Sequence, residues 1–190
     1  MTLPVIVGIS GASGAAYGVA VLDLLSHARV PTHLVVTEAG ARVLQLETEA
    51  TVPEVQTRAT QCWDEKEIAA PIASGTYPTT GMVVAPCSIR TLSAVACSRS
   101  SNLLERAADV TLKERRPLVL LVRETPLHAG HLRLMHDAAV AGAIIMPPVP
   151  AFYAGLESVE DLVSQTAARA LEQLGIESDA LRRWGSVPKQ

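Results

Sequence analysis

What the 190-residue chain lacks narrows its biology first. It has three cysteines, Cys62, Cys87 and Cys97, with neither a secretory pairing nor a CxxC spacing, and no positively charged opening followed by an apolar stretch and a cleavage site. A reduced, cytoplasmic protein is expected. No apolar run approaches the roughly 20 residues needed to cross a bilayer, because glycine, proline or a charge interrupts every candidate within about ten. Charge of one sign is missing too: 16 Lys and Arg against 19 Asp and Glu leave a net charge of -3, which argues against nucleic acid and anionic membranes as partners. Internal repeats, low-complexity tracts, a full GxGxxG, a Walker lysine and an HExxH pair are all absent. Chemistry on a small molecule is what these absences leave open.

What is present is a hydrophobic chain, 48% apolar, of a size suited to one core. One domain is expected over residues 1–178, with a polar tail over 179–190. Short apolar runs rich in β-branched residues begin at Val5, Thr32, Met82, Leu118 and Ala143, and read as buried parallel strands. Segments of helical period lie between them, near 15–28, 39–47, 91–96, 103–114 and 127–141, with a last one over 158–174. Ser158 and Asp161 form a capping-box pattern at its start, and Gly175 stops it. This alternation predicts a three-layer, doubly wound, mostly parallel α/β sheet of the Rossmann or flavodoxin kind. The least regular stretch, 53–80, is expected to be a functional loop.

Ligands of such sheets bind beyond the carboxyl ends of the strands, and three of those ends carry suggestive residues. Ser10-Gly11-Ala12-Ser13-Gly14 follows the first strand and opens a helix whose free N–H groups favour an anion; Gly11 would let backbone approach it and Ser13 would add a hydroxyl. The bland alternative is a tight turn. Pro86-Cys87-Ser88-Ile89-Arg90-Thr91 places Ser88 as a helix cap, and would converge on the same ligand if the two strand ends are neighbours. Cys87 has no partnered base and reads as an inert buried thiol. At the third end Arg123 is suited to a phosphate and Glu124 to a proton. Arg106 and Lys113, seven apart, share a helix face and could aim at one phosphate, whereas the other charges of 102–116 read as a solvated face. His128, His131 and His136 lack a matching carboxylate, so no metal site is expected.

Taken in order, Gly11-Ala12-Ser13-Gly14, Ala73-Ser74-Gly75, Pro86-Cys87-Ser88 with Thr91-Leu92, the run from Asn102 to Val110, Leu112 to Leu118, Arg123-Glu124-Thr125-Pro126, Pro150-Ala151-Phe152-Tyr153 and Trp184-Gly185 resemble the UbiX/Pad family of flavin prenyltransferases over nearly the whole chain. The resemblance implies transfer of a dimethylallyl group from dimethylallyl phosphate to N5 and C6 of reduced FMN, without a metal, to give the prenylated flavin used by UbiD-type decarboxylases. By position it implies Gly11, Ala12, Ser13, Thr37, Ser88, Ile89, Arg90, Thr91 and Arg123 around FMN. Ser74, Gly75, Arg106, Lys113, Arg123, Tyr153 and Arg169 would surround the donor phosphate, some reaching across subunits of a dodecamer. Glu47, Glu124, Lys113 and Ser13 would serve the chemistry, with Trp184 as a pocket wall. Ser98, where Gly is common, Val122 for Pro, Leu134 for Asn, and Arg90 and Arg99 depart from the pattern. The rival readings are an FMN-binding carrier or accessory subunit of a decarboxylase, and an FMN-dependent decarboxylase of cysteinyl substrates.

Overall fold

Residues 2–185 are described by a computed structural model. Among them six strands, β1 (Val5–Ile9), β2 (Thr32–Val36), β3 (Gln61–Trp63), β4 (Gly81–Cys87), β5 (Leu118–Val122) and β6 (Ile144–Ile145), form one sheet, parallel throughout, in the order β3-β2-β1-β4-β5-β6. Seven α-helices accompany them: α1 (Ala15–His27), α2 (Glu38–Glu47), α3 (Val52–Gln56), α4 (Ile89–Ala96), α5 (Leu103–Lys113), α6 (Ala129–Val140) and α7 (Val159–Glu172). The strand order is that of a Rossmann sheet, whose direction of winding reverses between β1 and β4.

Side chains alternate across a strand, and here that period sorts the apolar residues into two cores. Val5, Val7 and Ile9 of β1, with Val83, Ala85, Val119 and Leu121, face Leu22 and Leu25 of α1 and Ala167 and Leu171 of α7. Ile6, Met82, Val84, Leu118 and Leu120 face Leu92 of α4, and Leu104 and Ala108 of α5. Burial on both faces is why these strands read as unbroken hydrophobic runs. None of the described helices is long and apolar enough to cross a membrane.

The stretch 53–80, expected to be irregular, holds α3 and β3. Thr51 caps α3 reciprocally with Glu54, and Pro53 presets its first turn. β3 is only three residues long and lies at the sheet edge, without a fully buried residue, so it leaves no apolar run to detect. Ser158 accepts from the Asp161 N–H at 3.0 Å, and Gly175 takes a left-handed conformation beyond α7. Ser98 has a φ of 47°, which explains why glycine suits that position. Residues 179–185 are tied to the body: Arg182 exchanges hydrogen bonds with Gln165 at 2.8 and 2.9 Å and donates to the carbonyls of Ala154 and Gly155. The rest of the expected tail, 186–190, lies outside the described residues.

The β3 edge is held by a polar triad centred on the buried His33. Trp63 Nε1 donates to His33 Nδ1 at 2.8 Å, which leaves the neutral imidazole its proton on Nε2, 3.0 Å from the Tyr77 hydroxyl. Burial pushes the His33 pKa below its ordinary 6.5, and an imidazolium could no longer accept from Trp63. The unfolded chain therefore takes up this proton first, so the contribution of His33 is intact above about pH 6.5 and is lost as pH falls from there toward the lowered folded value. Thermal melts between pH 7.5 and 5 are expected to fall more steeply for the wild type than for His33→Gln; parallel slopes would refute the assignment.

Candidate active site

The two central strands part company at their carboxyl ends. The β1–β4 ladder ends at the Gly8–Val84 pair, whereas β1 continues with β2 to the Ile9–Val36 pair. A cleft of about 730 Å³ opens at this parting, within the range of small-molecule sites. It gathers Gly11, Ala12 and Ser13 from the end of β1, Thr37 from β2, Ser88, Ile89, Arg90 and Thr91 from β4, and Arg123 and Glu124 from β5. The strand ends singled out in the sequence thus share one ligand space, because β1 and β4 are neighbours.

Which helix starts remain open decides where an acceptor group can bind. The start of α1 is closed from within: Glu47 Oε2 accepts from Gly14 N at 2.7 Å and Ala15 N at 3.1 Å, and the Ser13 hydroxyl also bonds this carboxylate. Of the donors expected to face an anion at this first helix start, those of Gly14 and Ala15 are thus already engaged within the chain. Partial burial pushes the Glu47 carboxyl up, but the Ser13, Gly14 and Ala15 bonds and the charge of Arg123 outweigh it and hold the pKa below the usual 4.5. Gly11 also serves the packing of the loop. A Cβ there would fall on the Ala39 methyl group, so the glycine allows α2 to pack over the loop.

The start of α2 is closed in part by Glu65, a residue that no sequence pattern marks. Its carboxylate accepts from Glu38 N at 2.9 Å and from Asn102 Nδ2 at 3.3 Å, joining the starts of α2 and α5 at the cleft wall. At α4 the Ser88 hydroxyl caps Thr91 N at 3.2 Å, but among the described residues the N–H groups of Ile89 and Arg90 have no acceptor. With Ala39, Gly11 and Ser13, whose N–H groups are likewise unengaged within the described residues, they give the cleft a lining of hydrogen-bond donors. Such a lining suits the phosphate and carbonyl oxygens of a mononucleotide such as FMN. Burial keeps Cys87 protonated, well above the ordinary thiol value, beneath this lining.

The remaining candidates lie elsewhere on the chain. Arg106 Nε donates to the Ala73 carbonyl at 3.3 Å and its guanidinium pairs with Asp109 at 2.9 Å. Lys113 pairs with Glu114 directly beside Gly75, and Ser74 bonds Thr76 at 3.0 Å. Arg116, expected on a solvated face, instead clamps this loop through the carbonyls of Gly75 and Tyr77, both at 2.8 Å. Glu105 of α5 lines the cleft, and Lys113 lies eight residues further on, roughly 12 Å along a helix that rises about 1.5 Å per residue. A third group sits apart from both: Arg169 pairs with Glu172 on α7, and Tyr153 meets Trp184 edge to face at 5.2 Å. Among the described residues no three His, Cys, Asp or Glu side chains converge as metal ligands; His128 caps α6 through Gly130 N at 3.0 Å.

Residues 2–171 match the family described as Flavoprotein. Among curated proteins, the flavin prenyltransferase UbiX of Salmonella typhimurium is 56% identical over 182 residues, 94% of this chain and 96% of that protein. A crystal structure of AnUbiX (PadA1) in complex with FMN and dimethylallyl pyrophosphate superposes with a TM-score of 0.96 at 39% identity, covering 99% of this chain and 100% of the other. The dodecameric FMN-dependent UbiX-like decarboxylase from Escherichia coli O157:H7 gives a TM-score of 0.93 at 42% identity, covering 96% and 99%. By contrast, the FMN-dependent cysteine decarboxylase TvaF is 15% identical with a TM-score of 0.67, over 93% of this chain and 100% of that one, and shares the fold alone.

Proposed function

The chain belongs to the flavoprotein family and, within it, to the UbiX-type flavin prenyltransferases, and on that premise we propose that it joins a dimethylallyl group to N5 and C6 of reduced FMN. The observation that carries this reading is the donor-lined cleft at the β1–β4 parting, with Arg123 and Glu124 at its edge. Gly11, Ala12, Ser13, Thr37, Ser88, Ile89, Arg90, Thr91 and Arg123 hold the flavin nucleotide. Reduced FMN supplies an electron-rich ring to the allyl carbon.

The chain's own residues manage charge and protons. The allyl C–O bond breaks with its electron pair leaving on phosphate, and Arg123 meets the developing charge. Lys113, Arg106, Tyr153, Arg169 and the Ser74–Gly75 loop complete the phosphate site from neighbouring copies. Glu124, with the departing phosphate, moves the protons that bond formation at N5 and C6 requires. Glu47 stays ionised at the start of α1 and orients the Ser13 hydroxyl. Trp184 closes the pocket as a wall. No metal takes part in this scheme.

Assembly into a dodecamer fits the chain's surface. Of the twelve residues of α6 only Ala138 is fully buried, and Phe152, Trp184 and Val140 are 87%, 81% and 75% exposed, a great deal of apolar area for a lone chain. The prenylated flavin then passes to a UbiD-type decarboxylase, in the cytoplasm where the soluble donor and FMN occur. Anaerobic incubation of the protein with reduced FMN and dimethylallyl phosphate, or separately the pyrophosphate, is expected to yield a flavin heavier by one prenyl unit, read by mass spectrometry. Unchanged FMN with both donors would overturn the assignment. The carrier reading predicts that same null result, together with retained FMN binding.

A further inference from the structure

We propose that Ser10 is a positioning residue that sets the width of the cleft and the pose of the α4 start; this rests on the FMN reading of the site. Beyond Gly8 and Val84 the β1–β4 ladder is broken, and the register of β4 against β5 also shifts between Val84 and Cys87. The strand ends must separate there to admit a ligand, so something other than the ladder has to fix how far. Ser10, 1% exposed, spans the gap: its N–H donates to the Pro86 carbonyl at 3.3 Å, its hydroxyl donates to the same oxygen at 2.8 Å, and that hydroxyl oxygen accepts from Ser88 N at 2.9 Å.

The bonds run on in one direction. Ser88 uses its hydroxyl hydrogen on Thr91 Oγ1 at 3.1 Å, while its oxygen caps Thr91 N. The Thr91 hydroxyl hydrogen is left to point elsewhere, beside the unengaged N–H groups of Ile89 and Arg90. Ser10 thereby orders a set of donors facing the cleft, and the ligand group received there is a hydrogen-bond acceptor of the flavin nucleotide. An alanine at position 10 would leave Ser88 N without its partner and the Pro86 carbonyl with only the longer bond from the backbone N–H, and so free the α4 start to shift.

The test is Ser10→Ala in the full chain, titrated with FMN by fluorescence quenching and assayed for prenyl transfer. A buried hydroxyl elsewhere serves as control: Thr111, 1% exposed, donates to the Ala107 carbonyl at 2.7 Å within α5, and Thr111→Val removes that bond without touching the cleft. FMN affinity is expected to fall about tenfold in Ser10→Ala and to stay at the wild-type level in Thr111→Val, with turnover at saturating FMN nearly unchanged. Should Ser10→Ala not fold, Ser10→Cys, whose thiol is a poorer partner, is titrated instead with the same expected direction. Equal affinity in the folded Ser10 variant and the wild type, or an equal loss in the Thr111 control, overturns the proposal. Failure of the wild type itself to bind FMN would instead overturn the functional reading on which it rests.

Discussion

Glu124→Gln is expected to lower prenyl transfer by about 10²- to 10⁴-fold, the usual worth of a general acid or base, while leaving FMN affinity within about twofold. The side chain follows β5 directly and lines the cleft, and its Oε1 accepts from Thr125 N at 3.0 Å. Glutamine has the same length and can make that same bond through its amide oxygen, so the turn after β5 should persist. Only the capacity to take and return a proton is removed. Anaerobic single-turnover mass spectrometry gives the product, and fluorescence titration gives the binding. A variant that keeps activity within about tenfold would move proton transfer to another group, with the departing phosphate first in line. A variant that makes no product yet still supports a decarboxylase would restore the carrier reading.

The parts of this site that could be read from sequence are those whose chemistry is local. Ser88 three residues before Thr91, directly after an apolar run, announces a capped helix following a strand, and the structure has that cap. Arg123 and Glu124 follow β5 without a spacer, so their place on the ligand edge comes with the strand itself. What stayed hidden depends on distance along the chain. Glu47 is 33 residues from the Gly14 N–H it closes, and Glu65 is 27 from that of Glu38; no spacing rule links such pairs. For that reason the helix start with the strongest sequence signature, after Ser10-Gly11-Ala12-Ser13-Gly14, proves to be the one already filled. The edge strand β3 escaped because three residues, one exposed and two part-buried, make no hydrophobic period. Arg116 escaped because a surface guanidinium and one clamping two carbonyls look alike in a charged helix end.

Separate Lys113→Ala and Arg123→Ala variants are each expected to lose about 10²- to 10³-fold in activity, and co-expression of the two to restore about a quarter of the wild-type rate. The expectation comes from how the cations are distributed. Arg123 lines the cleft; Lys113 lies at the far end of α5, on one face of the sheet; Arg169 belongs to α7, which packs on the opposite face. These three cannot surround one phosphate within a single chain, whereas neighbouring copies in a closed assembly can bring them together. If a site draws Arg123 from one chain and Lys113 from another, random mixing of the two variants completes about one site in four, since each position independently receives the intact residue half the time. A self-contained site would be defective in every chain of the mixture and would recover nothing. Sequential affinity purification through a different tag on each variant isolates particles that contain both, and the rate per particle then separates the two cases.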